Sequence, residues 1–310
     1  MHTNTTLIPT EATQSGSAQT RMAVVGVCGG WSSEILADRV AEVTGGPRLL
    51  VELDQVRLDL PSGRAMYLGH DLSKLDGLII KKLGSAYSAD LLDRLEVLRF
   101  LAGRGVRIFS QPQAIAGLLN RLTCTVTLQL AGIPMPPTTI TEDLEHALTA
   151  LAEYGEAILK PLYSTKARGM FMLRPGPEVR EALLAYQREN TIFYLQKTIA
   201  LGEQDLGVVF LGGEYLTTYA RIRKPGAWNT TTASGGKYVP FDPTPEIIEL
   251  ARRAQEPFGL DFTCVDVALT DSGPYVFEVS AFGGFRGIQE ARGLDAARLY
   301  AHYALGRIRP

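Results

Sequence analysis

The stretch Cys264–Ser280 (CVDVALTDSGPYVFEVS) decides the reading of this 310-residue chain. Its two arms are rich in β-branched and aromatic residues and are joined by Thr270-Asp271-Ser272-Gly273, a composition that favours a tight turn. With the hairpin centred on Ser272, Asp266 and Glu278 stand directly opposite each other. Val265, Val267, Phe277 and Val279 flank them, so the alternation puts both carboxylates on one face and the hydrophobes on the other. Like charges opposed on a sheet are unfavourable unless something neutralises them. A hard divalent cation such as Mg²⁺ does so, because it binds through one or two carboxylates plus substrate phosphates. A solvated hairpin whose register slips and lets the charges splay apart is the alternative.

Outward from the hairpin, the third block of the chain (190–310) holds strands Phe193–Lys197, Asp205–Leu211 and Tyr215–Arg221, with Gly212-Gly213 as a hairpin turn. A Gly/Ser/Thr-rich loop at Trp228–Gly236, helix Pro245–Phe258 and a last helix through Asp295–Leu305 complete it. Arg221 and Arg223 alternate along a strand, and Arg286 follows Gly283-Gly284-Phe285 soon after Glu278. Arginines in such places stabilise developing carboxylate or phosphate charge, or pair with surface carboxylates. The second block (111–189) has a helix Leu118–Leu130, a stiff segment with Pro134, Pro136 and Pro137, a helix near Glu142–Tyr154, and strands Ala157–Leu162 and Met170–Arg174. Lys160 sits in the apolar run Ile158-Leu159-Lys160-Pro161-Leu162 and must find a partner, because burying an unpaired ammonium is costly. Lys166 and Arg168, at the tip between the strands, suit a loop that folds over a polyphosphate, or a basic exposed loop.

The first block (21–110) alternates short apolar runs, Met22–Val27, Arg48–Leu53, Gly77–Ile80 and Gly103–Phe109, with helical patterns, one of them capped by Ser32 or Ser33 and another over Ser88–Leu101. Strands alternating with helices give a mainly parallel sheet covered on both faces. Residues 1–20 read as a disordered Thr/Ser-rich tail. With 31 basic and 33 acidic side chains, the formal charge is −2. That balance gives no sign of a nucleic-acid or membrane-surface protein, and no apolar run approaches the ~20 residues of a membrane span. Three dispersed cysteines fit a reducing cytoplasm rather than a disulfide or zinc framework. Gly26-Val27-Cys28-Gly29-Gly30 follows a strand and opens a helix but is not a full dinucleotide fingerprint. Cys28 there reads as a small packing residue.

Taken together, Lys160-Pro161-Leu162, Gln196-Lys197, Asp205, Arg221, Gly235-Gly236, Asp266 and Glu278-Val279-Ser280-Ala281 occur in an order that resembles the ATP-grasp superfamily, and most of all its RimK-like glutamate and amino-acid ligases. The resemblance spans roughly Gln111 to Leu305. It implies a two-lobed ATP-grasp fold, lobe A over 111–189 and lobe B over 190–310, preceded by a Rossmann-like pre-ATP-grasp domain over 21–110. It also implies that Lys160 and Arg121 hold ATP phosphates and that Gln196, Lys197, Thr198 and Ile199 line the adenine. Asp205 then lies near the ribose, and Asp266, Glu278 and Ser280 are metal positions. Arg121 stands where a lysine is usual, Ser280 where an asparagine is usual, and Asn229-Thr230-Thr231 and Gly207 where the family carries arginines or an asparagine.

The function expected on this basis is ATP-dependent ligation of a carboxylate to an amine through an acyl phosphate, with Mg²⁺ (or Mn²⁺) as the metal. Arg221, Lys166, Arg168 and Arg286 are the catalytic candidates, since positioning and charge neutralisation carry such chemistry. The partners expected are a small-molecule or peptide carboxylate and an amine or amino acid, for instance glutamate added to a cofactor precursor; a homo-oligomer is left open. A non-catalytic nucleotide-binding module and an NAD(P)-dependent enzyme are the alternatives.

Overall fold

The computed structural model describes residues 19–164, 167–224 and 236–308. The first part runs β1 (Met22–Val25), α1 (Trp31–Thr44), β2 (Leu50–Val51), β3 (Arg57–Asp59), β4 (Arg64–Tyr67), β5 (His70–Asp71), β6 (Gly77–Ile80), α2 (Asp90–Gly103) and β7 (Arg107–Phe109). Four strands form a parallel sheet in the order β2-β1-β6-β7, and β3-β4-β5 form a small antiparallel sheet. Each strand of the parallel sheet serves two cores. Ala23 and Val25 lie in a layer with Leu91, Leu95 and Leu98 of α2, while Met22 and Val24 lie in one with Leu36 and Val40 of α1. The cap expected of Ser32 or Ser33 is absent: Gly30 takes the N-cap, and the Ser33 hydroxyl accepts the Val27 N–H instead, bracing the turn from β1.

Next come α3 (Pro112–Leu119), α4 (Arg121–Leu130), β8 (Thr138–Thr141), α5 (Leu144–Tyr154), β9 (Ala157–Leu159), β10 (Phe171–Leu173), α6 (Val179–Gln187) and β11 (Phe193–Lys197). The single helix expected over Leu118–Leu130 is broken at Asn120. That residue is extended, and its side chain accepts the Thr123 N–H at 2.8 Å, the preferred use of an asparagine at a helix start. Strand β11 belongs to this second sheet, ordered β10-β9-β11-β8 and antiparallel throughout, rather than to the third block where its sequence position puts it. Leu159, Phe193 and Leu195 pack there on Ala147, Leu151 and Leu183 of α5 and α6.

The remainder is β12 (Gln204–Leu211), β13 (Glu214–Ile222), β14 (Lys237–Pro240), α7 (Pro245–Gln255), β15 (Phe262–Thr270), β16 (Gly273–Ser280), α8 (Phe285–Arg292) and α9 (Ala296–Ile308). Its five strands pair antiparallel in the order β14-β13-β12-β15-β16. Leu250, Ala251 and Ala254 of α7 share a core with Leu206, Val208, Val265 and Val267 on one face of this sheet. Helix α8, not anticipated from the sequence, lies on the other face, and α9 returns to pack on α1.

Asp266 does pair with Glu278, though not through a hairpin centred on Ser272. Near the turn Thr270 pairs with Gly273 and Val267 with Val276, so Phe277 is an extra residue, a β-bulge. The bulge re-aims Phe277. Instead of joining the apolar face, its ring lies 5.5 Å from the Lys160 ammonium.

Candidate active site

The face of the third sheet that α8 covers in part carries, on alternate positions of four strands, the charged residues of the site. Asp205 pairs with Arg221 across β12 and β13, and Asp266 with Glu278 across β15 and β16. The Arg221 guanidinium donates to both Asp205 oxygens, Nε to Oδ1 at 3.0 Å and Nη2 to Oδ2 at 2.6 Å, and Nη2 lies 3.1 Å from Asp266 Oδ1. Burial works against the charged guanidinium, but Asp266 and Asp205 outweigh it and hold Arg221 firmly protonated. Burial pushes the Asp266 carboxyl up; Arg221 opposes that shift, while Asp205 and Glu278 add to it. A quarter of the Asp266 side chain stays exposed, so water softens the effect. Gly207 sits between these carboxylates because a Cβ there would lie 2.4 Å from the Tyr219 ring.

From the second sheet come Lys160 and Gln196, and from the start of α4 comes Arg121. Lys160 follows β9, its N–H still bonded to the Tyr194 carbonyl at 3.0 Å, and its buried ammonium donates to Gln196 Oε1. The Gln196 amide in turn donates to Thr138 Oγ1 at 3.0 Å, which fixes its orientation. The partner that Lys160 requires is therefore a neutral amide. Burial, helped by the Arg121 charge and opposed by Glu278, brings the Lys160 pKa down to about 7. Arg121 spans the gap between the sheets. Its Nη1 is 3.6 Å from Glu278 Oε2, and its Nη2 donates to Ser164 Oγ at 3.3 Å.

The structure thus gathers Arg121, Lys160, Gln196, Asp205, Arg221, Asp266 and Glu278. Asp205 is engaged by Arg221 rather than left open towards a ribose. Lys197 is exposed and Ile199 half-buried, while the Thr198 hydroxyl is buried with no hydrogen-bond partner among the described residues. The Ser280 hydroxyl accepts the Phe282 N–H at 3.3 Å, so it already braces the turn beyond β16. Arg286 is not drawn in: it lies on α8, 3.9 Å from Glu290, with its guanidinium 5.2 Å from the Trp31 ring centroid. Arg168 is exposed, and Lys166 and Trp228–Thr231 lie outside the described residues.

Sequence reasoning passed over Lys81 and Tyr87. Lys81 is fully buried, donates to the Gly283 carbonyl and stands 3.7 Å over the Phe285 ring, tying the first sheet to the loop after β16. Its signal was its place at the carboxyl end of an apolar parallel strand, where α/β sheets put their ligand-facing groups. Tyr87 lies beyond the same strand, with no pattern to mark it. The loop after β1 is unsuited to a dinucleotide pyrophosphate, since Glu52 accepts the Cys28 N–H at 2.9 Å and Glu34 the Gly29 N–H at 2.6 Å. Cys28 is exposed, not a packing residue.

Two carboxylates and a hydroxyl offer hard oxygen donors, which suit Mg²⁺ when phosphates complete its shell. Among the described residues there is no group of three or more His, Cys, Asp or Glu side chains that would hold an ion unaided. Lys160 beside the second sheet and Arg121 at the head of α4 face the paired carboxylates of the third, in a fold shared with ATP-grasp ligases. The chain belongs to the RimK-like ATP-grasp family: the family model for the RimK-like ATP-grasp domain matches residues 119–303. It is 25% identical over 260 residues to the tetrahydromethanopterin:alpha-L-glutamate ligase of Methanosarcina acetivorans, covering 75% of this chain and 80% of the relative. The fold is shared with a RimK-domain ATP-grasp protein from Sphaerobacter thermophilus (TM-score 0.70, 22% identity, 93% of this chain and 100% of that one). It is shared too with the ATP-grasp ligase PsnB, solved with a phosphomimetic variant of its minimal precursor, Mg and ADP (TM-score 0.72, 16% identity, 94% and 99%). No helix among the described residues is long and apolar enough to cross a membrane.

Proposed function

We propose that the protein activates a carboxylate with ATP as an acyl phosphate and passes the acyl group to an amine, adding glutamate or another amino acid to a small metabolite or cofactor precursor. The observation that carries this reading is the approach of Arg121, at the head of α4, to Glu278 on β16, which sets cations of one sheet against the Asp266–Glu278 pair of another. Mg²⁺ held by these two carboxylates would neutralise phosphate charge during transfer.

The chain's own groups supply the rest. Lys160 and Arg121 would hold the phosphates, and the backbone of Gln196–Ile199, with the unpartnered Thr198 hydroxyl, would face the adenine. Lys160, with a pKa near 7, gains its proton as phosphate approaches, so its charge appears where it is used. Arg221 fixes Asp266 and keeps a guanidinium beside the reacting oxygens, a preorganised stabiliser for charge that develops there. No side-chain nucleophile is needed, since both steps join groups held in place.

The test is a screen of paired carboxylates and amines, L-glutamate foremost, for ADP release with ATP and Mg²⁺, followed by product mass. A gain of one amino-acid residue with one ADP per bond is expected. No ADP release from any pair would overturn the reading.

A further inference from the structure

Beside Glu278 a small, solvent-open cavity is lined by residues of all three parts of the chain: Tyr87 from the first, Leu119, Arg121, Leu162 and Ser164 from the second, Phe277 and Glu278 from the third. Leu119, Leu162 and Phe277 make part of its wall apolar. The guanidinium of Arg121 and the Ser164 hydroxyl, 3.3 Å apart, mark a polar side. Tyr87 is half-buried, and among the described residues its hydroxyl has no hydrogen-bond partner. A phenol on a partly apolar wall, in the same cavity as a guanidinium and a second hydroxyl, suits an oxyanion carried on a hydrocarbon skeleton.

We propose that Tyr87, with Arg121 and Ser164, forms an oxyanion site in this cavity that receives the carboxylate of the substrate. The proposal rests on the ligase reading and adds to it a residue from outside the two grasping sheets. Burial, and after it the charge of Glu278, hold the Tyr87 phenol well above its ordinary pKa, so it remains a neutral donor and never serves as a base. A donor of that kind stabilises a carboxylate without adding positive charge. Arg121 offsets the repulsion between such a carboxylate and Glu278. A phosphate oxygen shares the same chemistry. Tyr87, however, follows a strand of the first sheet, whereas Lys160, Gln196 and Thr198, assigned to the nucleotide, lie on or beside the second; Arg121, assigned to the phosphates as well, stands between the two and would be shared by them.

The experiment is calorimetry of the full chain and its Tyr87→Phe variant with glutarate, L-glutamate and inorganic phosphate as probes, each with and without saturating ADP–Mg²⁺. The parent should bind a carboxylate probe with ADP–Mg²⁺ in place. Tyr87→Phe should bind it roughly tenfold more weakly, the loss of one hydrogen bond to a charged group. Affinity for ADP–Mg²⁺ itself should stay within about twofold, as for a group that does not touch the nucleotide. Tyr87→Leu, checked by its melting curve, should match the phenylalanine variant if the hydroxyl carries the effect.

Equal carboxylate affinity in parent and Tyr87→Phe would overturn the proposal, as would a parent that binds no carboxylate probe. Binding of phosphate alone, displaced by ADP–Mg²⁺, would assign the oxyanion to the nucleotide and overturn it as well. None of these measurements needs turnover, so a silent ADP-release screen and a silent Tyr87 site remain separate results.

Discussion

Replacing Arg221 with methionine keeps most of the side-chain volume and removes a cation shared by Asp205 and Asp266. The arginine makes two charge-assisted hydrogen bonds to Asp205, at 3.0 and 2.6 Å, and an ion pair to Asp266 at 3.1 Å. Both carboxylates are largely covered, with 18% and 26% of their side-chain surface exposed. Stripping one partner from a fully buried pair costs about 3–5 kcal/mol, and from an exposed pair at most about 1. The residual exposure here points to a loss of about 2–4 kcal/mol. In a chain of 310 residues, whose unfolding entropy is about 0.65 kcal/mol/K, that lowers the melting temperature by roughly 3–6 °C. Arg221→Met also releases Asp266 from its strongest restraint on proton uptake. The folded variant then holds a proton that the unfolded chain has lost, so its stability falls as pH rises through that window. The deficit against the parent should therefore be largest above neutrality and shrink in mild acid. Differential scanning calorimetry at several pH values reads this directly, and adding Asp205→Asn should recover part of the loss. Millimolar Mg²⁺ should raise the variant's melting temperature more than the parent's, since a divalent ion can take over the missing charge. A variant that melts within about 1 °C of the parent would refute the central place given to Arg221.

Lys160→Met should weaken ATP–Mg²⁺ binding by about 1.5–3 kcal/mol, read by calorimetry. Because burial holds Lys160 near pKa 7 against an ordinary 10.5, the unfolded chain carries the extra proton between those values, and this group contributes stability that rises with pH across them. The fully buried Lys81, also near 7, contributes in the same sense, whereas the buried thiols of Cys124 and Cys264, raised to about 12, oppose it above about pH 9; Lys160→Met should therefore flatten the rise chiefly between about pH 7 and 9. Glu278→Gln should abolish most ADP formation while moving the melting temperature by only about 2 °C, because its pairing with Arg121 is loose and half-exposed. Full ADP production by that variant would remove Glu278 from the mechanism. Gly207→Ala should destabilise the chain by about 1–3 kcal/mol in urea, through the clash with Tyr219, and trimming Tyr219 to leucine should relieve part of it.

What the sequence disclosed follows from the range of its signals. Alternation and a turn motif are local, so the opposed Asp266 and Glu278 were legible, although the bulge at Phe277 was needed to make the register come out. An ammonium in an apolar run announces that it needs a partner. That the partner is Gln196 depends on how β9 and β11 align across intervening chain, which no local pattern encodes. Apolar periodicity ran unbroken through Asn120, yet its side chain ends one helix and starts another, and that break turns Arg121 towards Leu162 and Ser164. Arg286 misled for the opposite reason. It is near Glu278 along the chain but not in space, because α8 carries the side chain towards Trp31. Tyr87 and Lys81 meet the site only through tertiary packing.

The return of α9 to the first sheet sets a condition on the order of synthesis. Met22, Val24, Ile79 and Phe109 share their core with Leu36 and Val40 of α1, but also with Tyr300, Ala301 and Ala304 from the last helix. Gly77 leaves the space that Ile308 fills, a Cβ there lying 2.4 Å from its Cδ1. A nascent chain that has delivered the whole parallel sheet still lacks part of its cover until α9 has left the ribosome. The amino-terminal region therefore cannot complete its folding as an autonomous early unit. Its apolar face stays uncovered in part during elongation, and a chain truncated shortly before α9 should aggregate more readily than the full chain even though every residue gathered at the active site has been made.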